Sequence, residues 1–159
     1  MARKPNREAR CASRLRLETL EERSLLAIAA FQVHLYEDVG GQPGAEIVDD
    51  TVEAGDSFFL EITAQEFDPS YHGLQSVSLD IAWDSAAFEI EGPFDPGQIV
   101  TSNLPMYRTG RLDAAAGTIT NLSGSAFRAS DVGRAIGDGV EERCALLRYR
   151  ALEAVDRAR

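Results

Sequence analysis

Residues 74–90 contain the most regular alternation of apolar and polar side chains in the sequence. Apolar residues occupy every second position from 77 to 83, and the positions between them are polar or small. A period of two residues is typical of a β-strand that buries one face and exposes the other. The pattern predicts a strand followed by a turn at residues 84–85 and a second short strand at residues 88–90. The predicted core anchors of the first strand are Val77, Leu79, Ile81 and Trp83.

Similar short runs occur along the chain, at residues 31–36, 57–67, 106–112, 118–122 and 143–152. Segments containing Gly, Asp and Pro separate these runs and predict turns. Two regions are expected to leave the sheets. One is the proline-containing segment 92–97, followed by brief pairing at residues 98–101, and the other is a long surface excursion at residues 123–142. This order of short strands predicts an all-β fold, a β-sandwich of jelly-roll or immunoglobulin-like type.

Charge divides the chain of 159 residues, whose formal net charge is -10, into two unlike parts. Residues 1–26 hold seven basic and four acidic side chains; since the whole chain holds 16 and 26, the remainder holds nine and 22. We therefore predict a basic leader at residues 1–30, a domain at residues 31–152 and a frayed or helical tail at residues 153–159. The acidic domain has no basic stripe, so nucleic-acid binding is not expected.

The leader allows two interpretations. Leucines at positions 17 and 20 lie on one side of a possible short helix, and the leader is otherwise expected to be disordered. The apolar run at residues 25–31 is too short to span a membrane, while its alanines suit cleavage by a signal peptidase. The leader therefore predicts either an export signal or a short amphipathic helix that packs on the domain.

A motif within the leader favours export. The sequence LETLEERSLL at residues 17–26 resembles the LEPR-XLL motif of large secreted and surface proteins in planctomycete-type bacteria, with Glu22 where that motif usually has Pro. The resemblance implies targeting to the cell surface or the extracellular space, and it implies no reaction. Its matching positions are Leu17, Glu18, Leu20, Glu21, Arg23, Leu25 and Leu26.

The order of motifs in the domain resembles that of cohesins. These are jelly-roll sandwiches of the carbohydrate-binding-module superfamily, and they dock onto dockerin modules of secreted assemblies. The resemblance implies a cohesin-like fold and a dockerin-bearing partner. Cohesins normally add a closing strand after the position of Ala151, so we expect this chain to lack that strand and to be a fragment with an open sheet edge. The matching segments are GDSF at 55–58, GL at 73–74, WD at 83–84, FEI at 88–90 and ALLRYRA at 145–151.

Candidate catalytic groups are sparse. The two histidines, His34 and His72, have no ligand-like neighbours at short spacing, which predicts solvent-facing structural roles. Cys11 lies in the leader, and Cys144 lies in a strand-like run that predicts a small buried residue. No serine lies in a G-x-S-x-G elbow, so an enzyme is not expected.

Two further kinds of site remain open. Aspartates at loop edges either converge on Ca²⁺ or initiate turns through their own backbone, and without a D-x-D-x-D-G run no cofactor is expected. Tyr71 and Tyr107, with Tyr36 and Phe59, either form an exposed sugar-stacking platform or lie partly buried in the core or at its rim. The aspartates are Asp49, Asp50, Asp56, Asp68, Asp84, Asp95 and Asp113.

The sequence therefore favours an exported, non-catalytic β-sandwich that acts in cell-surface adhesion or protein assembly. Its partner is expected to be a dockerin-bearing protein or a polysaccharide, and the polar face of the central strand, with Ser76, Ser78 and Asp80, is a candidate surface. The alternatives are a carbohydrate-binding module and a structural spacer in a larger surface protein.

Overall fold

A computed structural model describes residues 29–48, 51–67, 73–126, 136–152 and 155–156. The predicted LEPR-XLL-like motif, Tyr71 and His72 lie outside the described residues. The elements are β1 (Ala29–Asp38), β2 (Pro43–Glu46), β3 (Thr51–Val52), β4 (Ser57–Glu66), β5 (Ser76–Ala82), β6 (Phe88–Ile90), α1 (Pro96–Ile99), β7 (Met106–Asp113), β8 (Thr118–Ser125), β9 (Glu142–Ala151) and β10 (Val155–Asp156).

Two antiparallel sheets form the body of the fold. One has five strands in the order β2-β1-β4-β9-β6, and the other has three strands in the order β5-β8-β7. A small additional ladder joins β3 to β10. Apolar side chains from both sheets form one continuous cluster. The predicted all-β sandwich is therefore confirmed.

The core is centred on β4 and β9, which lie in the middle of the five-stranded sheet. Their registers place Phe58 opposite Tyr149 and Leu60 opposite Leu147, so that large apolar residues form rows across the inner face. The Phe58 and Tyr149 rings stack with centroids 5.8 Å apart. The Tyr149 hydroxyl is buried with no hydrogen-bond partner among the described residues, and burial raises its pKa. The stabilisation from this apolar packing therefore outweighs the free-energy cost of burying a hydroxyl that has no hydrogen-bond partner among the described residues.

Trp83 connects the second sheet to this row. It follows the last residue of β5, and its indole N–H donates a hydrogen bond to the Phe88 carbonyl at 3.1 Å. Its ring meets the Tyr149 ring edge to face, with centroids 5.4 Å apart. Of the four predicted anchors, Val77 is fully buried, whereas Leu79, Ile81 and Trp83 are half-buried and pack against the core.

The β7–β8 hairpin reaches Trp83 through a glycine. Gly117 has a φ of 63°, and its carbonyl accepts a hydrogen bond from the backbone N–H of Trp83 at 2.9 Å. A Cβ atom at this position would lie 2.3 Å from the Trp83 carbonyl oxygen. Both the backbone conformation and the close approach therefore require glycine here.

Two local predictions were partly wrong. Residues 96–99 form one helical turn, because Asp95 caps it and Pro96 begins it, although Val100 does pair with Ala145. The predicted excursion at 123–142 begins too early, since β8 continues to Ser125. It also includes Ile136, which is completely buried.

The C-terminal tail also departs from the prediction. Val155 and Asp156 pair with β3, so this part of the tail is a short strand and not a helix. None of the helices in the described residues is long and apolar enough to cross a membrane.

Replacing Trp83 by alanine should reduce the free energy of unfolding by about 3 kcal/mol, near the low end for aromatic truncations because the ring is half-buried. Urea unfolding followed by circular dichroism measures this loss. Trp83→Phe should retain most of the stability because it keeps a ring against Tyr149. A loss below about 1 kcal/mol for Trp83→Ala would contradict this role of the ring.

Candidate functional site

The outer side of the three-stranded sheet is a flat, hydroxyl-rich surface, which we call the hydroxyl face. Strand alternation directs these side chains away from the core, and most of them are exposed. Only one basic and one acidic side chain lie among the nine, although the whole chain is strongly acidic. The hydroxyl face consists of Ser76, Ser78, Asp80, Tyr107, Thr109, Arg111, Thr120, Ser123 and Ser125.

Local hydrogen bonds fix the hydroxyl face. The hydroxyls of Thr109 and Ser123 are 2.9 Å apart, and Asp80 accepts a hydrogen bond from the backbone N–H of Asn121 at 2.7 Å. Tyr107 and Asn121 each have a φ of 53°, beside positions where the strand registers shift. Such irregularities in a ladder re-aim side chains. At Tyr107 the side chain is 70% exposed.

The four aromatic residues considered for sugar stacking do not share one surface. Tyr36 and Phe59 lie opposite each other on the outer side of the five-stranded sheet, and Phe59 is buried there. Tyr107 lies on the hydroxyl face, on the other side of the sandwich, and Tyr71 is outside the described residues. Tyr107 is therefore the one exposed aromatic side chain of the three that the structure describes.

The outer side of the five-stranded sheet carries ion pairs. Arg148 contacts Asp38 at 2.5 Å and Glu91 at 3.6 Å, while Arg143 pairs with Glu61, which is almost fully buried. Arg148 also lies opposite Phe59 in the β4–β9 register. These charged side chains pair with each other across the sheet. This side therefore offers a ligand fewer unpaired charged groups than its composition indicates.

His34 bridges two carboxylates on this side. Its Nδ1 lies 3.0 Å from Glu46 and its Nε2 lies 2.6 Å from Glu141, which also accepts a hydrogen bond from the Thr63 hydroxyl at 2.5 Å. Ionised carboxylates only accept hydrogen bonds, so these two contacts favour the doubly protonated form of the imidazole. The hydrogen bond with Glu46, and next that with Glu141, raises the pKa of His34 against the opposing effect of burial.

His34 lies on the outer side of its sheet, and both of its carboxylate partners come from distant positions in the sequence. Glu46 and Glu141 are 12 and 107 residues away in sequence, and the β1–β2 pairing and the approach to β9 bring them together. The Thr63 hydroxyl, followed by His34, lowers the pKa of Glu141. No spacing rule for short motifs could have identified this cluster.

An acidic groove of about 840 Å³ lies beside the β1–β2 and β3–β4 turns. Asp38 is already engaged there by Arg148 and by the backbone N–H of Gly41. Within the described ranges, no group of three or more His, Cys, Asp and Glu side chains is arranged to hold a metal ion. The charged residues that line the groove are Glu37, Asp38, Glu46, Glu53, Asp56 and Arg148.

The loop aspartates that the structure describes act mainly in turns. Asp84, Asp95 and Asp113 each accept a hydrogen bond from a backbone N–H two or three residues further on, at 2.9, 2.8 and 3.0 Å. These bonds reverse or begin a chain segment. Asp49, Asp50 and Asp68 lie outside the described residues.

Cys144 is buried between the sheets, and its thiol donates a hydrogen bond to the Ile62 carbonyl at 3.1 Å. Burial raises the pKa of this thiol to about 11. It therefore remains protonated near neutral pH, which opposes a role as a nucleophile.

A smaller, mainly apolar groove of about 280 Å³ opens between the sheets where β1 faces β5. Its mouth includes Val33, whose side chain points towards the core and is nevertheless 58% exposed. The groove is lined by Val33, Leu35, Val52, Phe58, Leu60, Ile81, Ala82, Trp83, Asp84, Phe88 and Tyr149.

Comparisons with known proteins give no assignment: no family model matches the chain, and searches of curated proteins and of solved structures find no significant match.

Raising the pH should lower the free energy of unfolding, because His34 loses its proton. Its pKa in the folded protein is above the ordinary value of 6.5, so its stabilising effect is complete below that pH and is lost as pH rises through the folded pKa. Urea unfolding at a series of pH values measures this step. The step should disappear in His34→Gln and persist in His72→Gln, and equal pH profiles for His34→Gln and the unmodified protein would disprove it.

Proposed function

We propose that this chain is an exported, non-catalytic β-sandwich module that binds a protein partner at the cell surface. The observation that carries this proposal is the hydroxyl face, a mostly exposed surface on the three-stranded sheet. Its cross-strand row of Ser78, Ser123 and Thr109 supplies hydroxyl donors and acceptors at regular spacing. Protein interfaces use such surfaces as polar contacts around a buried anchor, for which Tyr107 is suited.

The nearly balanced charge of the hydroxyl face supports a protein partner. A partner of either charge can approach it without the repulsion that the acidic groove would impose on an anion. The motif order that resembles cohesins favours a dockerin-bearing protein as this partner, and the leader that resembles the LEPR-XLL motif favours export.

The state of the reactive groups supports a non-catalytic role. Both ring nitrogens of His34 contact carboxylates, and the Cys144 thiol is buried with its pKa raised to about 11. Neither group has the free base or nucleophile character that acid–base or covalent catalysis requires.

A direct binding experiment tests the hydroxyl face. Dockerin-bearing proteins are titrated into the full chain by calorimetry, and Ser78→Arg, which places a long charged side chain in the row of Ser78, Ser123 and Thr109, should weaken binding at least about tenfold. Ser102→Arg is the matched control because Ser102 is an exposed serine in the turn before β7. Unchanged affinity in Ser78→Arg would reject this face as the binding site.

Polysaccharide binding is the second candidate function, and the exposed ring of Tyr107 favours it. Retention on an insoluble polysaccharide that disappears in Tyr107→Ala would establish this function. Tyr107→Ala should leave stability within about 0.5 kcal/mol of the unmodified protein, because the ring buries little surface. A folded protein that binds neither partner would favour a spacer role.

Export has its own test. The intact mass and N-terminal sequence of protein recovered outside an expressing bacterial cell should show cleavage between about residues 27 and 31. A full-length product that stays inside the cell would contradict export while leaving the binding proposal untouched.

A further inference from the structure

The first half of β1 has an unpaired backbone edge. β2 pairs with β1 only near Tyr36 and Asp38. The hydrogen bond nearest the N-terminus of β1 on this side runs from the Ile47 N–H to the Leu35 carbonyl, at 2.8 Å. In an antiparallel ladder, every second residue directs its N–H and C=O groups to the same side. Phe31 and Val33 therefore direct theirs to this side, where no strand of the described residues pairs with them.

The same two residues also lack apolar cover. They lie opposite Ala64 and Ile62 of β4, so their side chains are on the inner side of the five-stranded sheet. Even so, Phe31 is 48% and Val33 is 58% exposed. An edge that is short of both hydrogen-bond partners and apolar contacts is a template for another strand.

Charge favours a second copy as the occupant. Residues 29–33, AAFQV, contain no charged side chain and no proline, the two devices that usually protect an edge strand. The chain as a whole has a net charge of -10, so two copies repel each other over most of their surfaces. This neutral segment is a place where two copies can approach closely.

We infer that two copies of this chain pair antiparallel through residues 30–34 of β1, which joins two five-stranded sheets into one continuous sheet. Because side chains alternate along a strand, Phe31 and Val33 of both copies lie on the same side of the joined sheet only if a residue, and not a peptide bond, sits on the two-fold axis. With Gln32 on the axis, Phe31 of each copy lies opposite Val33 of the other, and their backbones exchange hydrogen bonds.

This register stops before Leu35, whose carbonyl already accepts a hydrogen bond from the Ile47 N–H. It pairs residue 30 of one copy with residue 34 of the other, so the contact ends where pairing with β2 begins. The contact is isologous, so it closes as a dimer and leaves no second copy of the same edge unpaired. It is independent of the hydroxyl face, which belongs to the other sheet.

Sedimentation velocity of the full chain tests the association. The unmodified protein should sediment as a dimer. Val33→Lys should raise the dimer dissociation constant at least about tenfold, because it places a charged side chain opposite Phe31 of the other copy and brings two lysines to diagonal positions across the contact. Val48→Lys is the matched control because Val48 is 86% exposed and lies outside the open segment.

A cross-link tests the register. Gln32 on the axis is a non-hydrogen-bonded pair, whose Cα atoms in such ladders are about 4.5 Å apart, within the range of a disulfide. In a Cys11→Ser background, Gln32→Cys should give a disulfide-linked dimer under mild oxidation. Val48→Cys in the same background should stay uncross-linked.

Each alternative outcome overturns the inference. If Gln32→Cys is a monomer and its thiol reacts rapidly with an alkylating reagent, the β1 edge is open but does not pair. If it is a monomer and the thiol is protected, another part of the chain covers the β1 edge. Larger species, or a dimer that Val33→Lys does not weaken, associate through another surface. The effect of Ser78→Arg on partner binding separates failure of this inference from failure of the proposed function.

Discussion

The contact between Trp83 and Tyr149 is the interaction on which the arrangement of the two sheets depends. Tyr149 lies on β9, in the middle row of the five-stranded sheet, and stacks on Phe58 of β4. Trp83 reaches it from the end of β5 in the other sheet and is held by bonds to the Phe88 and Gly117 carbonyls. One aromatic contact thus joins the sheets, the β5–β6 turn and the β7–β8 hairpin. The Tyr149 hydroxyl is buried without a hydrogen-bond partner among the described residues, so apolar packing at this point outweighs the loss of one hydrogen bond.

The two outer sides of the sandwich have different chemistry, and this difference limits where a partner can bind. On the five-stranded sheet, arginine side chains pair with carboxylates, so much of the polar surface is used internally. On the three-stranded sheet, short hydroxyl side chains bond to neighbouring strands and still face solvent. A strongly acidic domain therefore has one nearly neutral side, which favours a specific orientation of docking.

Prediction from sequence was successful where one local pattern determines the structure. The alternation from Val77 to Trp83 identifies a strand because one side of β5 is buried and the other is exposed. The helical turn at α1 was missed although Asp95 followed by Pro96 is a recognisable start signal. Ile136 was assigned to a surface loop because its neighbours are Gly and Asp, whereas its burial comes from long-range bonds to Leu74. The partners of His34 were equally invisible because strand order brings them together.

The separation of the aromatic residues shows the same limit. Alternation indicates that Tyr36 and Phe59 share a side of their sheet, but only the topology shows that Tyr107 belongs to the opposite surface. The position of Trp83 has another use, since it is the only tryptophan in the chain. Its indole lies 5.4 Å from the Tyr149 ring at the junction of the sheets. The emission of this one fluorophore therefore reports directly on whether the two layers are in contact, without any added label.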